Sequence, residues 1–469
     1  MNSTHIWILF PGFMALILIL LMRWKTLVGI MAAATCVLLA GLAAWLPAQE
    51  QLVLWRWVVP FSDTFVILGR RMVLSAGDRP ALIVIYLTAA LWFAAIPLAR
   101  PTRLFAPLGL AIVALFTAAI AVEPFLFAAV FIEIAVLVSI PILTPPGERP
   151  RRGVFRYLTF QTLGLPFILI SGYLFTGFEV GPGDPEIVAI ATAILVIGFA
   201  LMLAVFPFHT WIPMLAQESH PYPTAFIFLL LPIAVLIFGL GFMDSFVWMK
   251  DSPNTVLLIQ VIGAVMVVTG GIWAAVERNL SRMIGFAVLL DIGFSLLAIG
   301  LAIGSGSATY RVLFFAGLVP RGLSLGVFAL AMSALIGRIS SFDIDGIRGL
   351  GKRYPIISIS LIVSLFCLAG MPLLAGFPLK LGVIEGLSAQ VPAISIWVIL
   401  GSFGLIVGVI RMLISMVSDG IDTEESSPEP RSLIVLLVIG VGLLFLIGFL
   451  PNIFLKLATS FPDAFGALG

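Results

Sequence analysis

Residues 369–380 read Ala-Gly-Met-Pro-Leu-Leu-Ala-Gly-Phe-Pro-Leu-Lys, and they interrupt an apolar run that is long enough to cross a membrane. Prolines and glycines predict a broken helix here, because proline removes a backbone donor and glycine weakens a helix interior. A second break is predicted at Pro207, within the apolar residues 197–213. Backbone groups freed at membrane depth must be satisfied by protein or water. Both breaks are therefore expected to face the protein interior.

The composition of the whole chain is that of a membrane protein. Of 469 residues, 61% are hydrophobic and 10% are charged, whereas soluble proteins have about 25% charged residues. This excludes a soluble enzyme, a secreted domain and a disordered chain. The 25 Lys and Arg nearly balance the 23 Asp and Glu, which excludes a nucleic-acid partner. Cys36 and Cys367 lie in separate apolar runs, which excludes a disulfide framework, a zinc site and an iron–sulfur cluster.

The predicted fold class is an all-α polytopic membrane protein with about 14 transmembrane helices, each of about 20 apolar residues. Candidate spans lie near residues 5–22, 27–46, 81–99, 104–122, 124–143, 157–175, 187–206, 223–243, 255–276, 283–303, 312–336, 356–386, 392–417 and 432–457. Within the connection 47–80, residues 52–59 are apolar and β-branched but too short to span. We expect an extended or hairpin cap over the outer face, with Trp55 and Trp57 at headgroup level.

The distribution of basic residues predicts the orientation of the chain. Connections after odd-numbered spans carry fifteen Lys and Arg, and those after even-numbered spans carry six. Because positive charge accumulates in cytoplasmic loops, the odd-numbered connections are predicted inside and both termini outside. The acidic residues 419–429 are then a solvated cytoplasmic loop.

An internal repeat is predicted from matched positions in the two halves. Pro207 and Pro378 each follow Phe and are 171 residues apart, and Glu133 and Asp291 are 158 apart. Five helices per repeat place the second copy inverted in the membrane, and paired broken helices in inverted repeats mark translocation sites. The predicted divisions are residues 1–103 with the outer loop 47–80, the first repeat 104–246, the inverted repeat 255–417, and the acidic loop with a last helix at 418–469.

Some ionisable residues lie inside predicted spans, where a charge costs several kcal/mol and usually faces the protein interior. They are Glu133, Asp291, Arg321, Lys380, Glu385 and Arg411. Glu385 lies near the end of a span, and Arg411 is close enough to the cytoplasmic interface to reach it. Glu133, Asp291 and Lys380 have apolar sequence on both sides, which favours a functional role over a structural one.

Several motifs resemble those of the antiporter-like membrane subunits of respiratory complex I and its relatives. The resemblance covers roughly residues 100–415. Residues 131–139 (Phe-Ile-Glu-Ile-Ala-Val-Leu-Val-Ser) look like the family's fifth-helix glutamate segment, and residues 206–213 (Phe-Pro-Phe-His-Thr-Trp-Ile-Pro) are similar to its most recognisable signature. Residues 370–380 are most similar to the N-type subunit. The family has fourteen helices with inverted five-helix repeats and broken helices 7 and 12.

The chain departs from the family pattern at four positions, and one of them is Arg321, a charge with no counterpart in the family pattern. Met202 stands where the family usually has the lysine that pairs with the fifth-helix glutamate, and Ile233 stands where a second lysine is usual. Asp291 stands where His or Gln is common, whereas Lys380 and Arg411 match the N-type pattern. The first half of the proton relay therefore looks altered and the second half intact.

The resemblance implies roles for the candidate residues. Lys380 is expected to be the central proton carrier, Glu133 the carboxylate of the first repeat, and Asp291 a bridge between them. His209 is expected either to gate access or to make a structural hydrogen bond. Together with Arg321, which is a candidate only because its charge lies inside a predicted span, the candidate site residues are Glu133, Asp291, Lys380, His209 and Arg411.

The resemblance also implies the surroundings of the chain. No cofactor is expected on this chain, and quinone and redox centres are expected in partner subunits. The implied partners are other membrane-arm subunits and the lipid bilayer of an inner or other energy-transducing membrane. Three functions remain open: a proton-translocating subunit of a complex-I-like assembly, a cation/proton antiporter subunit or partner of another membrane enzyme, and a structural relative that has lost transport.

Overall fold

The computed structural model describes residues 3–45, 79–144, 147–178, 183–419 and 429–452, with residue 455 and short stretches between residues 52 and 74. Most described residues are helical. The α-helices are α1 Ser3–Leu20, α2 Lys25–Trp45, α3 Arg79–Ala94, α4 Ile96–Ala99, α5 Phe105–Ala121, α6 Ala128–Leu143, α7 Arg152–Leu174, α8 Pro185–Met202, α9 Trp211–Glu218, α10 Pro221–Ser245, α11 Val247–Asp251, α12 Pro253–Val276, α13 Leu280–Ser305, α14 Ala308–Leu335, α15 Leu350–Arg353, α16 Pro355–Ala369, α17 Phe377–Gln390, α18 Pro392–Val417 and α19 Arg431–Phe449.

The helices have the length and composition of membrane spans. Ten segments among the described residues are long and apolar enough to cross a membrane. Four shorter apolar helices lie at Ile6–Leu20, Ala81–Ala94, Phe105–Ala121 and Pro355–Ala369. A 17-residue helix is about 26 Å long, somewhat less than the roughly 30 Å hydrocarbon core. The all-α polytopic fold is confirmed, and the count of fourteen crossings stays a prediction.

The break in the seventh span lies where the sequence predicts it. α8 ends at Met202 and α9 begins at Trp211, with one 3₁₀ turn over Phe208–Thr210 between them. Ala204, in the connecting loop, has a left-handed backbone conformation with φ of 59°. Pro207 lies in the same loop, so this part of the prediction is confirmed.

The twelfth span is also broken, but Pro378 does not lie in the break. α16 ends at Ala369 and α17 begins at Phe377. Gly370 follows α16 with a left-handed φ of 82°, and Pro372 lies in the loop. Pro378 is in the first turn of α17, which tolerates proline because the first N–H groups of a helix have no intrahelical acceptor. The break is confirmed, whereas the placing of Pro378 in it is wrong.

Short strands form part of the connection 47–80 and pair with residues that follow α5. They are β1 Leu52–Leu54, β2 Trp57–Val59, β3 Thr64–Ile67, β4 Arg70–Val73 and β5 Val122–Glu123. β1 and β2 pair antiparallel, as the hairpin prediction requires, and β3, β4 and β5 form a second small sheet. Trp55, the side chain of Trp57 and most of the acidic residues 419–429 lie outside the described residues.

Glycines bring α12 close to α13 and α18. A Cβ on Gly271 would meet the carbonyl oxygen of Gly401 at 1.8 Å, and one on Gly263 would meet that of Gly293 at 2.9 Å. Helices in a membrane associate through such close approach, since lipid tails are as apolar as the side chains. These contacts fix the position of α13, which carries Asp291.

Candidate functional site

Asp291, Arg321 and Lys380 come from three helices and meet inside the protein. Asp291 lies near the middle of α13, Arg321 follows Pro320 within α14, and Lys380 lies in the first turn of α17. Their side chains are 13%, 4% and 9% exposed, respectively. Charges at membrane depth need partners, and these three side chains are partners of one another. We call these three residues the buried charge cluster.

The guanidinium of Arg321 donates hydrogen bonds to both the carboxylate and the backbone carbonyl of Asp291. Nε donates a hydrogen bond to Asp291 Oδ2, and Nη2 donates to the Asp291 carbonyl oxygen at 3.1 Å. Nη2 also donates to Ser295 Oγ, one turn further along α13. Because hydrogen bonds from a charged donor are strong and directional, this contact fixes the carboxylate and turns Oδ1 towards a second cation.

That second cation is Lys380. Its Nζ lies 3.3 Å from Asp291 Oδ1 and donates a hydrogen bond to the carbonyl oxygen of Leu368. Nζ also lies 4.7 Å from the ring centroid of Phe294, at cation–π distance. Gly370 permits this packing, since a Cβ there would meet Lys380 Cδ at 2.9 Å. The ammonium therefore has a carboxylate, a carbonyl and an aromatic face around it.

The helix break creates the surroundings of Lys380. Leu368 is in the last turn of α16, where carbonyl groups have no intrahelical donor. Lys380 is in the first turn of α17, where the helix dipole disfavours a cation. The carboxylate of Asp291 offsets that effect. An unbroken helix would provide neither the free carbonyl nor the close approach.

A small cavity adjoins the buried charge cluster. Its volume is about 40 Å³, enough for a few water molecules beside polar groups. Nη1 of Arg321 is buried and has no hydrogen-bond partner among the described residues. The lining includes Asp291, Phe294, Ser295, Arg321, Cys367 and Lys380.

Glu133, in the first half, has a different environment. The residue is 8% exposed, and Thr162 Oγ1 donates to its Oε1 at 2.6 Å. Its Oε2 is buried without a hydrogen-bond partner in the described part of the chain, and no ion pair there includes Glu133. Gln161 Nε2 donates to the Met202 carbonyl oxygen at 3.0 Å, and the Met202 side chain packs against Gly164. Glu133 and Met202 thus contact the same turn of α7.

Neither His209 nor Arg411 lines the cavity beside the cluster. His209 is buried in the 3₁₀ turn within the first break, and its ring stacks on Phe206 with centroids 5.6 Å apart. Arg411 Nη1 donates to the carbonyl oxygens of Ala275 and Glu277 at the end of α12. Cations stabilise helix C-termini, so Arg411 caps α12. The exposed Glu385 does not line the cavity either.

Other members of the site carry weaker signals in the sequence. Ser295 lies four residues after Asp291, so helical spacing places both on one face. Phe294 and Cys367 read as ordinary apolar residues of their spans, and the Leu368 contact is made by the backbone. Only Ser295 could have been found from spacing.

Comparison with known proteins identifies similarity over more than half of the chain. Residues 167–408 match the family described as NADH:quinone oxidoreductase/Mrp antiporter, TM. The chain is 28% identical over 283 residues to NADH-quinone oxidoreductase subunit N 1 of Herpetosiphon aurantiacus, which is 59% of this chain and 56% of that protein. The chain spans about half the length of the curated relatives it matches.

Solved structures share the fold over nearly their full length. The match to the Mrp complex from Dietzia sp. DQ12-45-1b has a TM-score of 0.80 at 18% identity and covers 99% of each chain. The match to respiratory complex I from Thermus thermophilus has a TM-score of 0.74 at 19% identity and covers 97% of this chain and 99% of that one. These likenesses show the fold, and the family match covers just over half of the chain. The chain belongs to the NADH:quinone oxidoreductase/Mrp antiporter transmembrane family.

Proposed function

We propose that this chain is a proton-translocating, antiporter-like subunit of a complex-I-like membrane assembly. The observation that carries the proposal is the buried charge cluster beside the break between α16 and α17. A buried lysine next to a carboxylate is suited to proton exchange, because burial penalises its charged form and the carboxylate favours it. The adjoining cavity has room for water that can accept or deliver the proton.

The charge of the cluster supports a proton as the transported ion. Arg321 and Lys380 place two positive charges around the single carboxylate of Asp291. A metal cation would be repelled by both groups and would have to compete with the guanidinium for that carboxylate. A proton carried by Lys380 needs no additional ligand.

We assign the main carrier role to the second half of the chain. Lys380 is the central carrier, and its contact with Asp291 supports one side of the bridging role expected for that residue. Met202 cannot carry a proton, so transfer between Glu133 and Lys380 needs water or Asp291. His209 lies beside the first break, where it would control access. Arg411 caps the end of α12 and has no direct part in proton movement.

The proposed setting follows from the same family and from the charge distribution. Redox energy comes from partner subunits that hold the quinone and the redox centres, and the chain lies in an inner or other energy-transducing membrane beside other membrane-arm subunits. The Arg-rich connections after odd-numbered spans face the cytoplasm and both termini face the outer side. The two repeats are residues 104–246 and 255–417, flanked by residues 1–103 and 418–469.

Each of the two alternative functions is favoured by one observation. Met202 and Ile233 favour a structural relative without transport, because both replace lysines usual in the family. The fold shared with an Mrp complex supports a cation/proton antiporter subunit. The buried charge cluster argues against a purely structural role, since burying three charges without using them is costly.

The test is ion movement by Lys380→Met in proteoliposomes that contain the assembled complex. We expect Lys380→Met to abolish the proton movement due to this chain while the complex still co-purifies, since one charge is lost and packing is largely kept. Lys250→Met is the matched control, because Lys250 pairs with Asp244 in a partly exposed ion pair. Unchanged proton movement in Lys380→Met would support the structural role, and loss of Na⁺ movement alone would support the antiporter.

A further inference from the structure

We propose that Arg321 is a positioning residue that neutralises Asp291 and thereby allows Lys380 to release its proton. This inference rests on the proposed function and assigns a role to a residue that no family motif explains. Arg321 donates two hydrogen bonds to Asp291, one to its carboxylate and one to its backbone carbonyl, and a third to Ser295, whereas Lys380 contacts the same carboxylate only through Oδ1.

The charge balance explains why a second cation is needed. With Asp291 and Lys380 alone, loss of the lysine proton would leave an unpaired carboxylate in the protein interior, at a cost of several kcal/mol per ion. Lys380 would then keep its proton. A guanidinium keeps its charge in proteins, so Arg321 compensates Asp291 whatever Lys380 does.

The proton step can be written for named atoms. With both cations charged, the cluster carries a net charge of +1. One N–H bond of Lys380 Nζ breaks, its electron pair stays on nitrogen, and the proton passes to water in the adjoining cavity. The cluster then has no net charge, because the Arg321–Asp291 pair stays intact. Reprotonation from the other side of the membrane restores the ammonium.

No other charged group in the described part of the chain lines this cavity. The titratable or charged residues there are Asp291 from α13, Arg321 from α14, Cys367 from α16 and Lys380 from α17. α18, which packs against α17, contributes none of the lining residues. Cys367 is fully buried, and a neutral thiol leaves the charge balance unchanged.

The experiment follows proton movement against pH in proteoliposomes with the assembled complex. In Arg321→Gln, the rate of proton movement at neutral pH should fall by about tenfold or more, since the uncompensated Asp291 carboxylate would hold Lys380 in its charged form. The remaining activity should appear at more alkaline pH. Arg321→Lys keeps the charge and should recover most of the rate. Arg311→Gln is the matched control, because Arg311 lies on the same helix and does not line the cavity.

A double variant separates charge compensation from scaffolding. Asp291→Asn combined with Arg321→Gln removes the carboxylate and its compensating charge together, so Lys380 can again lose its proton without leaving a bare carboxylate. We expect the double variant to exchange protons faster than Arg321→Gln alone, with a pH profile moved towards acid. An Arg321→Gln profile like the wild type, or a double variant no faster than the single one, would overturn the inference. Unchanged proton movement in Lys380→Met would instead overturn the proposed function.

Discussion

Restoring a lysine at position 202 tests whether Glu133 lacks its partner. The Met202 backbone accepts from Gln161, and the next residue of α7, Thr162, donates to Glu133. Methionine and lysine are both unbranched, so Met202→Lys can follow the existing path past Gly164. The new ammonium is expected to reach Glu133 Oε2, which is buried without a hydrogen-bond partner among the described residues.

The expected energy follows from charge and burial. Two unit charges about 4 Å apart interact by about 4 kcal/mol at an effective dielectric constant of about 20. An unpaired buried charge costs about 3–5 kcal/mol when its partner is removed. Met202→Lys should therefore be tolerated in the presence of Glu133 and strongly destabilising in Glu133→Gln. We expect a coupling energy of about 2–4 kcal/mol between the two positions.

The assay is a double-mutant cycle on unfolding of the purified protein in mixed micelles. Ile233→Lys is the matched control, because Ile233 lines a cavity that only apolar residues enclose. The loss of unfolding free energy caused by Ile233→Lys should be the same whether position 133 is Glu or Gln. A coupling below about 0.5 kcal/mol for Met202→Lys, the size seen for independent sites, would refute the pairing of Glu133 with position 202.

Three further predictions concern single residues. Without a basic partner, Glu133 should be protonated at neutral pH, and an infrared band of an ionised carboxylate that disappears in Glu133→Gln would contradict this. Burial lowers the pKa of His220 from 6.5 to about 4, and its neutral Nδ1 accepts a hydrogen bond from the Tyr222 N–H at 3.3 Å. Because the pKa is lower in the folded state, the neutral imidazole stabilises the fold above pH 6.5, and this contribution is lost as the pH falls to about 4. His220→Asn should therefore flatten that part of a thermal-stability profile. Arg411→Met should cost about 1–2 kcal/mol by uncapping α12 and leave proton movement intact, and loss of transport in a stably assembled complex would contradict the capping role.

The sequence predicts the broken helices because their cause is local. Pro207 and the Gly370–Pro372 region interrupt helices through the backbone itself, wherever the rest of the protein lies. Pro378 was misplaced because proline is compatible both with a loop and with the first turn of a helix. Only the neighbouring contacts decide between them.

The buried charge cluster could be predicted only in part. A charge inside an apolar span identifies Asp291, Arg321 and Lys380 as buried and partnered. The sequence does not say which partner each one takes, because α13, α14 and α17 meet through tertiary packing. Arg321 matched no family motif, so its pairing with Asp291 could not be transferred from relatives. Arg411 is also a charge inside an apolar span, but it caps α12 and does not belong to the cluster.

Nitrogen NMR of Lys380 during turnover tests the central claim most directly. The chain has five lysines, so ¹⁵N-labelled lysine in this chain alone, assembled with unlabelled partner subunits, gives few signals, and Lys380→Met assigns the one of interest. The account predicts that Lys380 Nζ changes between ammonium and amine when the assembled complex is energised in membranes, while the signal of Lys250 does not change. A Lys380 signal that remains ammonium throughout turnover, in a complex that moves protons through this chain, would contradict the account.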